Sequence, residues 1–238
     1  MSGWVAKRFW KEARAVTRAQ GHGVDLDDRR LRTPAKADLI VPTRALAEAI
    51  AVEWNTQQDT ITPATMPMTR AANVTIDRVS RERAAVAAML AGYGGSDLLC
   101  YRATHPEGLV QRQAAAWDPL LDWAQAAFSV RLRVTTGVMP VAQEAAALDR
   151  LHREVSLLDD WALTAAHDLI CLSGSLVIGL AALHRHAPAQ TLWQASRVDE
   201  IWQEEQWGAD DEACAMAERK QSDFLDAMRF HDLSRTVG

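Results

Sequence analysis

The sequence is short of the residues that carry most recognisable chemistry. Its 238 residues hold three cysteines, Cys100, Cys171 and Cys214, with no CxxC pair among them. Neither a disulfide framework nor a thiolate metal site is indicated, and reduced thiols are expected. No GxxxxGK[ST] run occurs, and the glycine cluster Gly92-Tyr93-Gly94-Gly95 has no lysine after it. It reads as a helix stop and turn, so no loop cradles a nucleotide phosphate. The longest apolar run, LICLSGSLVIGLAAL at 169–183, is too short to span a bilayer and is broken by Ser173, Gly174 and Ser175. Two consecutive buried helices are its simplest reading. Met1 to Ala6 lead into KRFWKEAR without a basic-then-apolar leader, so an unexported protein is expected.

Positive charge is absent where negative charge is concentrated. Eight of the 31 acidic residues (Asp199, Glu200, Glu204, Glu205, Asp210, Asp211, Glu212 and Glu218) fall between 199 and 218, where there is no Lys or Arg. The rest of the chain is close to balance against 26 basic residues, and no concentrated basic face exists for nucleic acid. The pairs Asp159-Asp160 and Asp210-Asp211 are adjacent, about 100° apart on a helix, and read as solvated helix ends rather than acid/base pairs. His184 and His186 bracket Arg185 at a helix end and read as C-terminal cations. His167-Asp168 and Ser173 lack the GxSxG elbow of a hydrolase. No catalytic, metal or cofactor residue is assigned.

What is present is 48% hydrophobic residues and a change of pattern along the chain. Residues 1–62 read as a small α+β unit. KRFWKEARAVTRAQ alternates loosely, and HGVDLDDRRLRT is a hairpin signal with Asp27 and Asp28 as turn residues. DLIVPT is a further short strand, and Thr43 caps a helix in which Leu46, Ile50 and Trp54 recur at helical spacing. The segment ITPATMP marks the boundary, and residues 63–238 read as about eight helices with one extended segment, SVRLRVTTG. The fold class is therefore α+β, a small sheet-containing domain followed by a larger helical one.

Nine tryptophans against two tyrosines is a skewed aromatic set, and Trp193, Trp202 and Trp207 lie in or beside the acidic stretch. APAQTLWQASRVDEIWQEEQW reads as one helix with Leu192, Ala195, Val198, Ile201 and Trp202 on one stripe. Glu205 falls within that stripe and Glu204 points away from it. A carboxylate on an apolar face either bridges neighbouring helices or offers an acceptor to a partner.

Several segments together resemble one family. They are Lys7-Arg8-Phe9-Trp10, LDDRRLRTPAK, VPTRALAEAIAVEW, MPMTRAANVTIDRV, DLLCYRA with HPEGLVQRQAAAWDPLLDW, SGSLVIGLAAL and VDEIWQEEQWGADDEA. In this order, over nearly the whole chain, they are similar to the assembly chaperones of the F-type ATP synthase catalytic head. The resemblance implies a non-enzymatic protein without cofactor that binds the free α subunit and keeps it from aggregating until β replaces it. It also implies partner contacts at Glu205, Trp207, Gly208, Asp210 and Glu212, with Glu200 and Gln203 one turn earlier. Where eukaryotic members continue with a more aromatic segment, this chain has ADDEACAM, which suits a bacterial, cytoplasmic member; eukaryotic relatives belong in the mitochondrial matrix. A monomer with no membrane insertion is expected. An enzyme with a site between the two domains and a general holdase remain the alternative readings at this point.

Overall fold

The computed structural model describes residues 7–137 and 139–235, so the leader reading at Met1 to Ala6 lies outside the described residues. Among these the chain divides into two compact units. The first comprises residues 7–82, 160–164 and 229–235, the second Arg83–Asp159 and Ala165–Met228.

The first unit is built on a hairpin. Strand β1 (Ala13–Arg18) pairs antiparallel with β2 (Gly21–Leu26), from Ala13 opposite Leu26 to Arg18 opposite Gly21. The far edge of β2 takes two short strands, β3 (Arg29–Arg30) and β4 (Ile40–Val41). Asp27, in the left-handed region at φ 52°, makes the turn into β3, and its carboxylate accepts from the backbone N–H groups of Lys11 and Glu12. Asn and Asp tolerate that backbone best after glycine, which is why the Asp27-Asp28 signal holds.

Helix α1 (Arg44–Thr56) starts where Thr43 accepts from the Leu46 N–H, and buries Leu46, Ala47, Ile50 and Ala51. Its last turn is tied to β1 by Asn55, whose amide exchanges two hydrogen bonds with the Ala13 backbone, at 2.7 and 2.8 Å. Helix α2 (Pro67–Val74) follows, and five residues of π-helix, Thr75–Val79, join it to α3 (Ser80–Ala91).

Residues 63–82 thus group with the sheet and not with the helices after them, although the composition changes near 62/63. The cause is Glu53 on α1, whose carboxylate receives the Met68 N–H at 2.7 Å and the Thr69 N–H at 2.8 Å. These are N-terminal donors that α2 cannot satisfy internally. Composition registers neither the cap nor the tie. The passage to the second unit falls at Glu82, where the backbone of α3 leaves helical values.

The second unit is helical. It holds α4 (Glu107–Phe128), α5 (Ala145–Leu157), most of α6 (Asp160–Ser173), α7 (Leu176–Leu183), α8 (Ala189–Ala195), α9 (Val198–Trp207) and most of α10 (Asp211–Ser234). A two-residue parallel pair, β5 (Tyr101–Arg102) with β6 (Thr135–Thr136), accounts for part of the extended SVRLRVTTG segment. Val130 and Leu132 of that segment are buried.

The long apolar run forms two helices as expected: α6 ends at Ser173, Gly174 turns at φ 69°, and α7 is buried at every position. Asp97, fully buried, organises this corner. Its carboxylate accepts from the Ser175 hydroxyl at 2.7 Å and from the N–H groups of Val177 and Leu99 at 3.0 Å each. One side chain thereby caps both α7 and the 3-10 turn Leu98–Cys100. Removing it orphans three donors inside the unit, each of which costs about 1 to 3 kcal/mol when left unpaired. Asp97→Ala is expected to lower the unfolding free energy by about 3 kcal/mol or more. Chemical denaturation followed by circular dichroism measures this, and a loss under about 1 kcal/mol would show that water replaces the carboxylate.

Candidate functional site: the α4, α8 and α9 surface

One row of α4 determines where the acidic helix lies. Gly108, Arg112, Gln113 and Trp117 recur at close to one-turn intervals, and each meets α8 or α9. The Trp117 indole N–H donates to the Ala195 carbonyl at 2.7 Å, closing the C-terminal end of α8. Gln113 joins two segments: its amide nitrogen donates to Asp199 Oδ1 at 2.6 Å and its oxygen accepts from Ala103 N–H at 2.8 Å.

The Arg112 guanidinium lies 4.8 Å from the centre of the Trp202 ring and contacts Glu205 Oε2 at 2.7 Å. The hydrogen bond from Arg112 holds the Glu205 carboxyl below its ordinary range. Gly108 is required by the same contact, because a Cβ there would come within 2.7 Å of the Trp202 ring.

Beside this row the second unit has an open groove of about 590 Å³. Ala115, Ala116 and Pro119 form one wall, Leu192, Val198 and Ile201 the opposite one, and Arg112 stands at the margin with Glu205. Small side chains at 115 and 116 leave the space. Pro119 lies inside α4 and has no N–H for the Ala115 carbonyl, so this wall also carries a backbone acceptor without its usual helical donor.

The expected single helix over 189–207 is two. The helix is interrupted at Ser196 and Arg197, where Arg197 leaves helical dihedral values, and their side chains hold the break: the Ser196 hydroxyl donates to the Trp193 carbonyl at 2.7 Å, and Arg197 pairs with Glu200 at 2.7 Å. A wheel drawn across 192–205 therefore joins two axes. Leu192, Ala195, Val198 and Ile201 still meet, but as lining of the groove between helices.

For the two glutamates, the bridge between helices is observed at Glu205, and the outward placement of Glu204 is corrected. Glu205 is exposed and bridges to α4, whereas Glu204 is partly buried and its charge acts on Cys214 at the start of α10.

The other residues implied as partner contacts divide by role. Asp210 caps α10, its carboxylate accepting from the Ala213 N–H at 2.8 Å, and Glu212 stands in that helix's first turn, where the macrodipole favours an anion. Gly208 closes α9 at φ 90°, a conformation L side chains avoid. Glu200 pairs with Arg197, and Gln203 is exposed. Trp207 is 78% exposed, unusual for so large an apolar side chain.

The sequence reading missed Arg112 and the α4 wall. The spacing of Arg112, Ala115, Ala116 and Pro119 at i, i+3, i+4 and i+7 marks one helix face, and its small residues were the available signal. His184 and His186 pack on an aromatic cluster, with His186 stacked on Trp123 at 4.9 Å between centres. Among the described residues no three His, Cys, Asp or Glu side chains are placed to hold a metal, and no helix is long and apolar enough to cross a membrane.

A small α+β unit and a helical unit bearing an apolar groove beside the Arg112–Glu205 pair define the class: a two-unit α+β protein with an open groove on its helical part. The comparisons with known proteins agree on what that class is. The model of the ATP12 chaperone protein family matches residues 7–125. The crystal structure of Atp12 from Paracoccus denitrificans is 48% identical, covers 97% of this chain and 99% of that one, and superposes with a TM-score of 0.93. A crystal structure of an Agrobacterium tumefaciens protein is 35% identical with a TM-score of 0.92, covering 97% of this chain and 87% of that one. Protein atp12, mitochondrial, of Schizosaccharomyces pombe is 24% identical over 220 residues, 87% of this chain and 75% of the relative.

The chain belongs to the ATP12 chaperone family, the F-type ATP synthase assembly chaperones to which the sequence resemblance pointed.

The row on α4 makes a direct prediction. Trp117→Phe leaves the buried Ala195 carbonyl without its donor, which is expected to cost about 1 to 3 kcal/mol of unfolding free energy, and the smaller ring adds a cavity cost at this fully buried position. Urea denaturation reads this value. An unchanged midpoint would mean that the indole N–H does not hold α8.

Proposed function

We propose that this assembly chaperone binds the unassembled α subunit of the F-type ATP synthase catalytic head and covers its apolar contact surface until a β subunit takes that place. The observation that carries the reading is the open apolar groove that has the exposed Arg112–Glu205 ion pair beside it. An α subunit without its β neighbours exposes an adhesive apolar interface prone to wrong pairing. A shield that must later be displaced needs apolar contact for affinity and a polar margin for register and exchange. The groove supplies the first, and the carboxylates of α9 and the start of α10 supply the second. Glu200, Gln203, Glu205, Trp207, Gly208, Asp210 and Glu212 are proposed as the contacting stretch, with Arg112 now added as the residue that orients Glu205.

In this reading the protein is not an enzyme, uses no cofactor and acts as a monomer in the bacterial cytoplasm. Membership of a family named as chaperones supports the first of these.

Native co-purification tests the reading. Capture of α without β or a broad set of other chains is expected; recovery of many unrelated proteins would make it a general holdase, and recovery of none of α would overturn it. Glu205→Lys, which sets two cations together at Arg112, should weaken α capture about tenfold or more, and Glu204→Lys clearly less. Equal effects would reduce the acidic stretch to a general electrostatic field. The charge swap of Arg112→Glu with Glu205→Arg restores the helix tie without restoring the carboxylate's place, so continued weak binding assigns the loss to the partner contact.

A further inference from the structure

The sheet of the first unit ends in a strand that is paired on one side only. β1 bonds to β2, while β3 and β4 both pair with β2 and leave the other side of β1 open. Two contacts fix which way its peptide groups point. The Asp27 N–H donates to the Glu12 carbonyl at 2.9 Å, so Glu12 faces β2, and by the two-residue period of a strand so do Arg14, Val16 and Arg18. The Asn55 side-chain amide meets both backbone groups of Ala13 from the opposite side, so Ala13, Ala15 and Thr17 face outward. Asn55 fills the first of these positions as the peptide of a neighbouring strand would. The outward N–H and C=O groups of Ala15 and Thr17 have no partner among the described residues.

The charged side chains of β1 do not cover this edge. Arg14, Val16 and Arg18 lie on the face opposite the buried Ala13, together with Asp25 of β2. Arg18 reaches back over the sheet to Asp25, and Arg14 runs along its own strand to Glu12 at 3.7 Å, remaining 59% exposed. On that face β1 itself brings two cations, no anion, and Val16 between them.

We propose that the outer edge of β1, at Ala15 and Thr17, takes an extended acidic segment of a second protein, added as a further antiparallel strand with carboxylates beside Arg14 and Arg18 and an apolar side chain beside Val16.

Strand addition draws affinity from main-chain hydrogen bonds and specificity from alternate side chains. A strand that exchanges bonds with Ala15 and Thr17 sets its intervening residues opposite Arg14, Val16 and Arg18. Cross-strand pairs of opposite charge are favourable there, and like charges are not. The same rule disfavours a second copy of this chain as the occupant: the register that uses Ala15 and Thr17 of both copies sets Arg14 against Arg18 twice. The groove belongs to the second unit, so this edge is a separate surface with its own partner chemistry.

The test uses the full chain, isotopically labelled for NMR, and the peptide acetyl-Glu-Thr-Val-Thr-Glu-amide, whose two threonines oppose Ala15 and Thr17 in antiparallel register. Saturable shifts of the Ala15 and Thr17 amide resonances are expected, with slower hydrogen exchange at both. The analogue with lysine in place of both glutamates should bind about tenfold more weakly or worse, and N-methylation of both threonines should abolish binding. Ala15→Pro removes only an outward N–H, which an edge strand tolerates, and should abolish peptide binding while keeping the thermal midpoint near that of the unsubstituted protein. Absence of a response at Ala15 and Thr17 with millimolar peptide would overturn the proposal, as would equal binding of the N-methylated peptide. Equal binding of the lysine analogue would overturn the acidic partner, and dimerisation of the chain that Ala15→Pro breaks would make the occupant a second copy.

Discussion

The row Gly108, Arg112, Gln113 and Trp117 on α4 is the constraint on which the candidate surface depends. One of its contacts is a buried hydrogen bond, from Trp117 to the Ala195 carbonyl, a second is the part-buried bond from Gln113 to Asp199, and a third is the close approach of Trp202 over Gly108. Buried polar groups of this kind are specific because their alternatives are expensive: an unpaired indole N–H or carboxylate inside the unit costs more than a weakened surface pair. They hold α8 and α9 at one angle and separation, and the groove beside Ala115, Ala116 and Pro119 is what remains between them. The exposed Arg112 to Glu205 pair sits on top of this scaffold. Its contribution to stability is small by comparison, which leaves the carboxylate available to a partner.

The acidic stretch then separates into two kinds of residue. Asp199, Asp210, Asp211 and Glu212 answer the unpaired N–H groups and positive ends of α9 and α10, so their sign is set by the helices they start. Glu205, Gln203 and Trp207 answer to no such need and stand at or near the surface. A chaperone's contact surface must persist in the free protein without covering itself, and residues whose charge is already required by the fold provide part of that surface without extra strain.

The readable parts of the fold are those whose signal is local. Thr43 caps α1 through its own side chain, Asp27 supplies a left-handed turn, and Ser173-Gly174-Ser175 divides an apolar run too short for one long helix. What could not be read depends on residues far apart. Glu53 draws α2 to the sheet across fifteen positions, an interaction that composition does not register. The break at Ser196 and Arg197 is invisible because apolar spacing continues across it; the Trp117 bond to Ala195, the Ser196 hydroxyl bond to Trp193 and the Arg197 pair mark the end of α8. For the candidate site, the acidic residues were legible as a charge run and the family signature gave their neighbourhood. The facing wall was not, since nothing near Glu205 in sequence points to Arg112, ninety-three positions earlier.

The most direct test of the account is amide hydrogen exchange on the protein alone and in complex with isolated α subunit. The account predicts slower exchange in the complex along α9 and the first turn of α10, residues 198–213, and along the α4 wall near 112–120, with little change in β1 to β4. Protection confined to the sheet of the first unit, with the groove helices exchanging as in the free protein, would contradict it.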